Sequence, residues 1–288
     1  MSIFVENLNE MTHSLKEIIA IANNKGGVGK TTSVQSIAAC LKRLYNAKVL
    51  VIDIDPQVSL SNLLGWTSYQ EQHSGEKLRT VYDAMINGGS SLPVYKTDRG
   101  IYYVPGSFAM QDIDTDLLRQ LQPNMILKEC FESPLDNHTD DTEIKTVMDF
   151  DYIFIDCPPA LSHCTINALS VATGVIIPVQ MEGMSVTGLS AILTQVKMVK
   201  KALNPNLEIR GLLRVMVDNR TKLAQSVIDY FEENYKEILI DAMVKRSIKI
   251  NEAQQQDNYS DIFDYAPYSP AGIGYEMVTK ELFAEDNK

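Results

Sequence analysis

Residues 24–32 read NKGGVGKTT and follow a short apolar run at residues 18–22. The apolar run predicts a buried strand, and the glycines predict a tight turn from that strand into a helix. Backbone N–H groups in such a turn can point at phosphate oxygens because no Cβ obstructs their approach, and the helix start adds the positive end of its dipole. This stretch therefore predicts an α/β fold with a phosphate-binding loop, here called the phosphate loop (residues 24–29).

The residue types in this stretch suit a nucleoside triphosphate and its metal ion. Lys30 is placed to reach the β- and γ-phosphates, and the Thr31 hydroxyl is placed to bind Mg²⁺. A structural turn alone would explain the glycines but not the Lys-Thr-Thr run that follows them. The predicted nucleotide-binding residues are Gly26, Gly27, Val28, Gly29, Lys30, Thr31, Thr32 and, from a later segment, Asp53.

Two further apolar runs end in carboxylates. Residues 49–57 read VLVIDIDPQ and residues 152–159 read YIFIDCPP, and both patterns are typical of central parallel strands stopped by proline. The carboxyl ends of such strands meet beside the phosphate loop, so we predict that Asp156 holds Mg²⁺ through its water shell. Between Asp53 and Asp55 the choice of a catalytic residue stays open, because either one could simply cap the strand end.

A second lysine, Lys25, precedes the glycine pair, and Asn24 stands where the common GxxxxGK[ST] pattern has its first glycine. The string KGGVGKTT resembles the deviant Walker A loop of the ParA/MinD family of P-loop ATPases. This resemblance implies that Lys25 reaches across a nucleotide-sandwich dimer to the phosphates of the partner subunit. Without the motif, a single loop lysine would be interpreted as a solvated charge.

Later segments resemble the same family in the same order. Residues 51–57 resemble its switch I, residues 158–169 resemble its switch II, and residues 175–182 resemble the strand that ends in PxQxE. The D-x-R-T and S-E-A segments of ParA proteins have counterparts at residues 218–221 and 251–253. The resemblance implies that Asp55 orients and deprotonates the attacking water, that Asp53 supports the outer shell of the metal, and that Lys25 and Lys30 assist catalysis.

The resemblance also implies a function, namely plasmid or chromosome partition by an ATPase. ATP and Mg²⁺ are the implied cofactors, and an ATP-dependent homodimer is expected to bind DNA without sequence preference. Hydrolysis, stimulated by a ParB-like centromere-binding partner, is expected to release the dimer. The expected location is cytoplasmic and nucleoid-associated, with no membrane partner.

The net charge of −11 excludes a chain that is basic everywhere. Residues 189–256 are less acidic than the rest, because they contain eleven lysines and arginines against eight aspartates and glutamates. Phosphate contacts need only a local cluster of cations, although scattered lysines usually form a solvated face. By their ParA-like positions, the candidate DNA-binding residues are Arg220, Lys222, Lys245, Arg246 and Lys249.

Three alternative functions follow from the same motifs. A MinD-like membrane ATPase would need a C-terminal amphipathic helix with a basic face, whereas residues 280–288 are mixed and partly acidic. An iron–sulfur protein resembling nitrogenase reductase would need a second loop cysteine besides Cys164. A nucleotide-gated DNA-binding regulator, in which hydrolysis is incidental, is the third.

A chain of 288 residues can bury a large core, and its alternating apolar and helical stretches favour one α/β unit. We expect residues 1–16 to form a polar arm and residues 17–288 to form a single domain, with a mainly parallel twisted sheet and helices on both faces. The four cysteines form no CxxC pair, which favours a reduced cytoplasmic setting.

Hydrophobic periodicity and the positions of turn-forming residues predict the remaining helices, strands and loops. Residues 66–77 are expected to be a polar surface excursion, and residues 133–138 a loop. Helices are predicted at about residues 31–45, 78–85, 184–202, 221–235 and 273–285, and further strands at about residues 101–104, 174–179 and 208–217.

Overall fold

The structure is a computed structural model that describes residues 15–160, 162–182, 185–218, 222–255 and 260–287. Its strands are β1 (Glu17–Ile21), β2 (Val49–Asp53), β3 (Pro93–Lys96), β4 (Tyr102–Val104), β5 (Asp136–Asn137), β6 (Tyr152–Asp156), β7 (Gly174–Gln180), β8 (Glu208–Val217) and β9 (Leu239–Lys245). They form one sheet in the order β5-β3-β4-β2-β6-β1-β7-β8-β9. Every neighbouring pair runs parallel except β3 and β4, which confirms the predicted mainly parallel sheet.

Helices connect the strands and cover the sheet. The described α-helices are α1 (Lys30–Tyr45), α2 (Ser59–Leu63), α3 (Trp66–Gln72), α4 (Val81–Ile86), α5 (Ile113–Leu117), α6 (Ile126–Glu132), α7 (His163–Val171), α8 (Ser185–Ala202), α9 (Lys222–Asn234), α10 (Lys249–Gln254), α11 (Ile262–Tyr265) and α12 (Pro270–Phe283). Short 3₁₀ turns lie at Phe108–Asp112, Val147–Asp149, Lys236–Ile238 and Glu285–Asn287. Within the described ranges, we find no helix with both the length and the apolar character that crossing a membrane requires.

The central strands are apolar on both faces because both faces are covered. Ile18 and Ala20 of β1 pack into one hydrophobic cluster, while Ile19 and Ile21 pack into a second cluster on the opposite face. The second cluster includes apolar side chains of α1 and α12, and the first includes those of α7 and α8. Alternate side chains of a strand point to opposite faces, so this division confirms that helices lie on both sides.

Strand register brings the functional segments together at the carboxyl ends of the parallel strands, which form one side of the sheet. Ile21 at the end of β1 lies opposite Asp156 at the end of β6, and Asp53 at the end of β2 lies opposite Asp156 on its other side. The phosphate loop leaves β1 on this same side. The three segments that the sequence marks as functional are therefore neighbours in space.

Residues 67–77 are mostly exposed, as expected of a polar surface excursion, but the prediction missed the helix and the buried tryptophan with which this stretch begins. Trp66 begins α3, is only 2% exposed, and stacks against Tyr69 with ring centroids 5.7 Å apart. Its ring also lies 5.0 Å from that of Tyr95 on β3. Burial of a large aromatic ring stabilises this helix against the sheet edge, and the polar residues around it hid that signal.

Other boundaries also differ from the predictions. Helix α4 begins at Val81 rather than at residue 78, because Thr80 and Asp83 form a capping box. Helix α12 begins at Pro270 rather than residue 273, since Ser269 caps it and proline suits the first helical position. The expected loop at residues 133–138 includes the two-residue strand β5. Strands β3 and β9 were not predicted.

The partly buried carboxyl of Glu17, whose side chain is 17% exposed, makes stability depend on pH. Burial raises its pKa from 4.5 to about 7, although Arg210 lies 3.0 Å away and opposes the shift. Because the folded-state pKa is the higher one, this group's contribution to stability is complete below pH 4.5 and is lost as the pH rises through about 7.

The free energy of unfolding should fall between pH 5 and pH 8 in the wild type. We expect this fall to be about 1–2 kcal/mol smaller in Glu17→Gln, a value that allows for partial solvent screening. Urea denaturation at both pH values measures this difference. Glu143→Gln is the control because the Glu143 side chain is 85% exposed. An identical pH dependence in all three proteins would contradict the prediction.

Candidate nucleotide-binding site

The phosphate loop has the backbone geometry of an anion cradle. Gly27 and Gly29 have φ angles of 71° and 76°, which residues with a Cβ rarely adopt. No atom lies within 4 Å of the position that a Cβ would take on Gly26 or Gly27, so the loop faces open space. Gly29 caps α1 without a side-chain hydrogen bond, which leaves N–H groups of the first turn available for an anion.

Lys30 is buried at the base of this cradle. Lys30 is only 6% exposed, and its Nζ donates to the backbone oxygen of Lys25 at 3.2 Å. Burial lowers the pKa of Lys30, while the neighbouring carboxyl of Asp156 opposes that shift. A buried ammonium held by one neutral carbonyl would gain strongly from phosphate oxygens placed above it.

Thr31 and Asp156 form the pair that the sequence predicts for the metal. The Thr31 hydroxyl donates to Oδ2 of Asp156 at 2.7 Å. Oδ1 of Asp156 is buried and has no hydrogen-bond partner among the described residues. Burial, reinforced by the neighbouring Asp53, raises the pKa of Asp156 well above its usual value. A hydroxyl, an unpartnered carboxylate oxygen and a disfavoured negative charge fit a hydrated Mg²⁺ ion.

The structure distinguishes Asp53 from Asp55 by their hydrogen bonds. Oδ2 of Asp53 accepts from the backbone N–H and the hydroxyl of Ser61 at 2.9 and 2.7 Å, and Oδ1 accepts from the Asp55 backbone at 3.1 Å. Burial raises the pKa of Asp53 to about 6. A Cβ on Gly106 would lie 3.1 Å from the carboxyl carbon of Asp53, so the two residues are closely packed. Asp53 therefore joins the end of β2 to α2 and to the loop after β4.

Asp55 is less constrained than Asp53. Its Oδ1 accepts from the backbone N–H of Gln57 at 2.9 Å, and Oδ2 has no hydrogen-bond partner among the residues described. The residue is 8% exposed. Asp55 is close enough to Lys30 to affect its charge, and a carboxylate with one oxygen available there is the arrangement that a water-positioning residue needs.

The side chain of Lys25 contacts the end of β7 in this structure. Its Nζ lies 3.1 Å from Oε2 of Glu182 and 3.3 Å from Oε1 of Gln180. The side-chain amide of Gln180 also donates to the carbonyl oxygen of Gly27 at 3.0 Å. The end of β7 therefore supports the phosphate loop. In the sequence, Gln180 and Glu182 are marked only by the PxQxE resemblance, which does not reveal their contacts with the phosphate loop.

The other predicted nucleotide-binding residues occupy the loop and the start of α1. Val28 is 1% exposed, so its contribution to the cradle is its backbone. The Thr32 hydroxyl lies 3.4 Å from the side-chain nitrogen of Gln254 on α10. In the segment after Asp156, Thr165 donates to the Ala160 carbonyl at 2.7 Å, and the side-chain oxygen of Asn167 accepts from the Leu127 backbone at 2.9 Å. Thr165 and Asn167 thus stabilise the segment that follows Asp156.

The candidate DNA-binding residues that the structure describes lie at the end of β9. Lys245 ends this strand and Arg246 follows it, and both are exposed. Lys249 begins α10, where Nζ lies 2.7 Å from Oε2 of Glu252 and 5.7 Å from the ring centre of Tyr265. Arg220 and the side chain of Lys222 lie outside the described residues. Since β7, β8 and β9 are parallel neighbours, Lys245, Arg246 and Lys249 lie on the same side of the sheet as the phosphate loop, at the carboxyl ends of the strands.

The fold and the phosphate loop together define a P-loop nucleoside triphosphatase. A family described as an AAA domain matches residues 16–209. The sporulation initiation inhibitor protein Soj of Bacillus subtilis is 32% identical over 270 residues, which cover 93% of this chain and 98% of that protein. The chromosome-partitioning ATPase Soj of Treponema pallidum is 30% identical, and the match covers 94% of this chain and 98% of that protein. This chain belongs to the ParA/Soj family of P-loop ATPases.

Solved structures share the fold over nearly the whole chain. Cobyrinic acid a,c-diamide synthase from Mycobacterium smegmatis, with a bound ATP analogue and magnesium, has a TM-score of 0.72 and 27% identity. That match covers 95% of this chain and 96% of the synthase. A plasmid partition protein from Borrelia burgdorferi has a TM-score of 0.67 and 22% identity, and it is covered over its full length. At that identity the likeness concerns the fold alone.

Proposed function

We propose that this chain is a partition ATPase that works as an ATP-dependent DNA-binding dimer. The observation that carries the proposal is the Thr31–Asp156 pair beneath a phosphate loop that contains the additional Lys25. The M. smegmatis neighbour holds an ATP analogue and magnesium in a similar fold, which supports ATP and Mg²⁺ as the ligands. Membership of a family that includes Soj proteins supports a role in plasmid or chromosome partition.

In this proposal, chemistry depends on charge placed where the γ-phosphate would lie. Thr31 and Asp156 would hold Mg²⁺, which supplies charge neutralisation on the phosphates when bound. Lys30 stabilises the negative charge that develops on the transferred group, and Asp55 orients the attacking water. The side chain of Lys25 releases Gln180 and Glu182 and binds the phosphates in the partner subunit.

The dimer gives DNA binding its dependence on nucleotide. Two copies of the cluster formed by Lys245, Arg246 and Lys249 would face the same duplex, and the second copy binds at a high effective concentration. Hydrolysis removes the γ-phosphate contacts that order the switch segments, so the dimer opens and leaves DNA. A ParB-like centromere-binding partner stimulates that step.

Co-sedimentation with random-sequence duplex DNA in ATP, in ADP and without nucleotide tests this function. We expect binding with ATP and little binding in the other two conditions. Equal sedimentation in all three conditions, or a particle of monomer size in ATP by analytical ultracentrifugation, would reject the proposal.

We expect Arg246→Ala to lower the affinity for random duplex DNA roughly tenfold in ATP, because each dimer loses two phosphate contacts. The slope of log affinity against log salt should also become shallower by about two. Lys48→Ala is the matched control, since Lys48 precedes β2 and lies at the opposite sheet edge. An affinity that matches this control would exclude Arg246 from the DNA-binding surface.

A further inference from the structure

One carboxylate, that of Glu182, lies between a cation of the phosphate loop and a cation of the proposed DNA-binding cluster. Its Oε2 is 3.1 Å from Nζ of Lys25, and its Oε1 is 3.8 Å from Nη2 of Arg246. The side chains of Lys25, Glu182 and Arg246 are 34%, 52% and 59% exposed, so solvent and ligands reach all three. We call these three residues the charge triad.

The backbone around the charge triad is held at the sheet edge. Gln180, two residues before Glu182, accepts from Lys25 and donates to the phosphate loop. On the other side, the backbone N–H of Arg246 donates to the Val217 carbonyl at 3.1 Å, which ties the end of β9 to the end of β8. The approach of Glu182 to both cations therefore follows from the positions of three parallel strand ends.

A single negative charge here neutralises two groups that phosphates would otherwise attract. Lys25 must leave Glu182 before it can bind nucleotide phosphates, and a DNA phosphate must compete with Glu182 for Arg246. The carboxylate also repels phosphate oxygens that approach either cation. Its presence consequently opposes both steps of the cycle in the free subunit.

We propose that Glu182 is an inhibitory positioning residue that holds Lys25 and Arg246 on their own subunit until nucleotide is bound. This inference rests on the proposed function, because it assigns Lys25 to the partner's nucleotide and Arg246 to DNA. It makes Glu182 a determinant of the ATP concentration at which the dimer forms. It also makes Glu182 a restraint on DNA binding without nucleotide.

Glu182→Gln tests the proposal because it removes the charge and nearly preserves the size of the side chain. We expect the ATP concentration for half-maximal dimerisation to fall about two- to fivefold, the range typical of an exposed ion pair. We expect the affinity for random duplex DNA without nucleotide to rise by a similar factor. Analytical ultracentrifugation over an ATP series and fluorescence anisotropy with labelled duplex measure the two effects.

Glu143→Gln is the matched control, because it removes the same charge from the side chain that faces Lys48. A second control is the Arg246→Ala background, in which Glu182→Gln should raise DNA affinity without nucleotide by a smaller factor, because only the direct repulsion between Glu182 and phosphate is then removed. If the wild type dimerises with ATP but Glu182→Gln behaves like Glu143→Gln, the inhibitory role is overturned while the proposed function stands. If the wild type does not dimerise at any ATP concentration, the proposed function and the inference that rests on it are both overturned.

Discussion

The affinity for ATP with Mg²⁺ is expected to fall roughly a hundredfold or more in Lys30→Ala. Lys30 is almost fully buried beneath the phosphate loop, where its charge is weakly screened. Its single described hydrogen bond is to a neutral carbonyl, so phosphate oxygens would be its main stabilising partners. Isothermal titration calorimetry with a non-hydrolysable ATP analogue measures the loss without interference from turnover.

A loss of binding must be separated from a loss of folding. Burial disfavours the charged form of Lys30 in the nucleotide-free protein, so the alanine variant should unfold at no lower temperature than the wild type. Lys42→Ala is the control, because Lys42 lies in the last turn of the same helix and contacts Asn46. ATP affinity within twofold of the wild type in Lys30→Ala would show that this lysine does not bind the phosphates.

The turn at the phosphate loop and the closeness of Thr31 to Asp156 were predictable because they follow from local patterns and one rule of topology. Glycines before Lys30 and Thr31 specify the cradle, and apolar runs ending in carboxylates specify parallel strand ends. The carboxyl ends of β1 and β6 meet on one side of the sheet, and the Thr31 hydroxyl accordingly lies 2.7 Å from Oδ2 of Asp156. Neither step needs information about distant packing.

Edge elements were harder to predict, because their patterns are short or ambiguous. Strand β9 alternates in burial, with Ile240, Ala242 and Val244 buried. Its intervening positions include Leu239 and Met243, which weaken the alternation that marks a half-buried strand. Strand β3 has only four residues and begins with proline, which a strand accepts at its first position but which in a sequence also marks a turn or loop. Its antiparallel partner β4 supplies the pairing that allows it to form.

The roles of individual side chains depended on contacts that sequence spacing does not reveal. Asp53 and Asp55 are equivalent as carboxylates at a strand end, but only the fold brings Ser61 to Asp53. Glu182 is 157 residues from Lys25 in the chain. The meeting of these side chains requires β1 and β7 to be sheet neighbours, which the motifs alone do not specify.

Replacing Asp55 with alanine is expected to lower the rate of ATP hydrolysis by about 10²–10⁴-fold, the usual contribution of a general base. Nucleotide binding should be retained, since Oδ1 contacts the backbone of Gln57 and the metal pair involves Thr31 and Asp156. Phosphate release under single-turnover conditions measures the chemical step directly. In a motor-like cycle, the variant should also remain on DNA after ATP is added, because release requires turnover.

Asp53→Ala is the informative comparison, since it removes a carboxylate from the same strand end. Asp53 accepts three hydrogen bonds in the interior, so its loss should lower the thermal unfolding midpoint more than the loss of Asp55 does. A stable Asp55→Ala protein that hydrolyses ATP at the wild-type rate would move the catalytic role away from Asp55. A variant that loses hydrolysis but still leaves DNA at the normal rate would favour the nucleotide-gated regulator, because turnover would then be incidental to release.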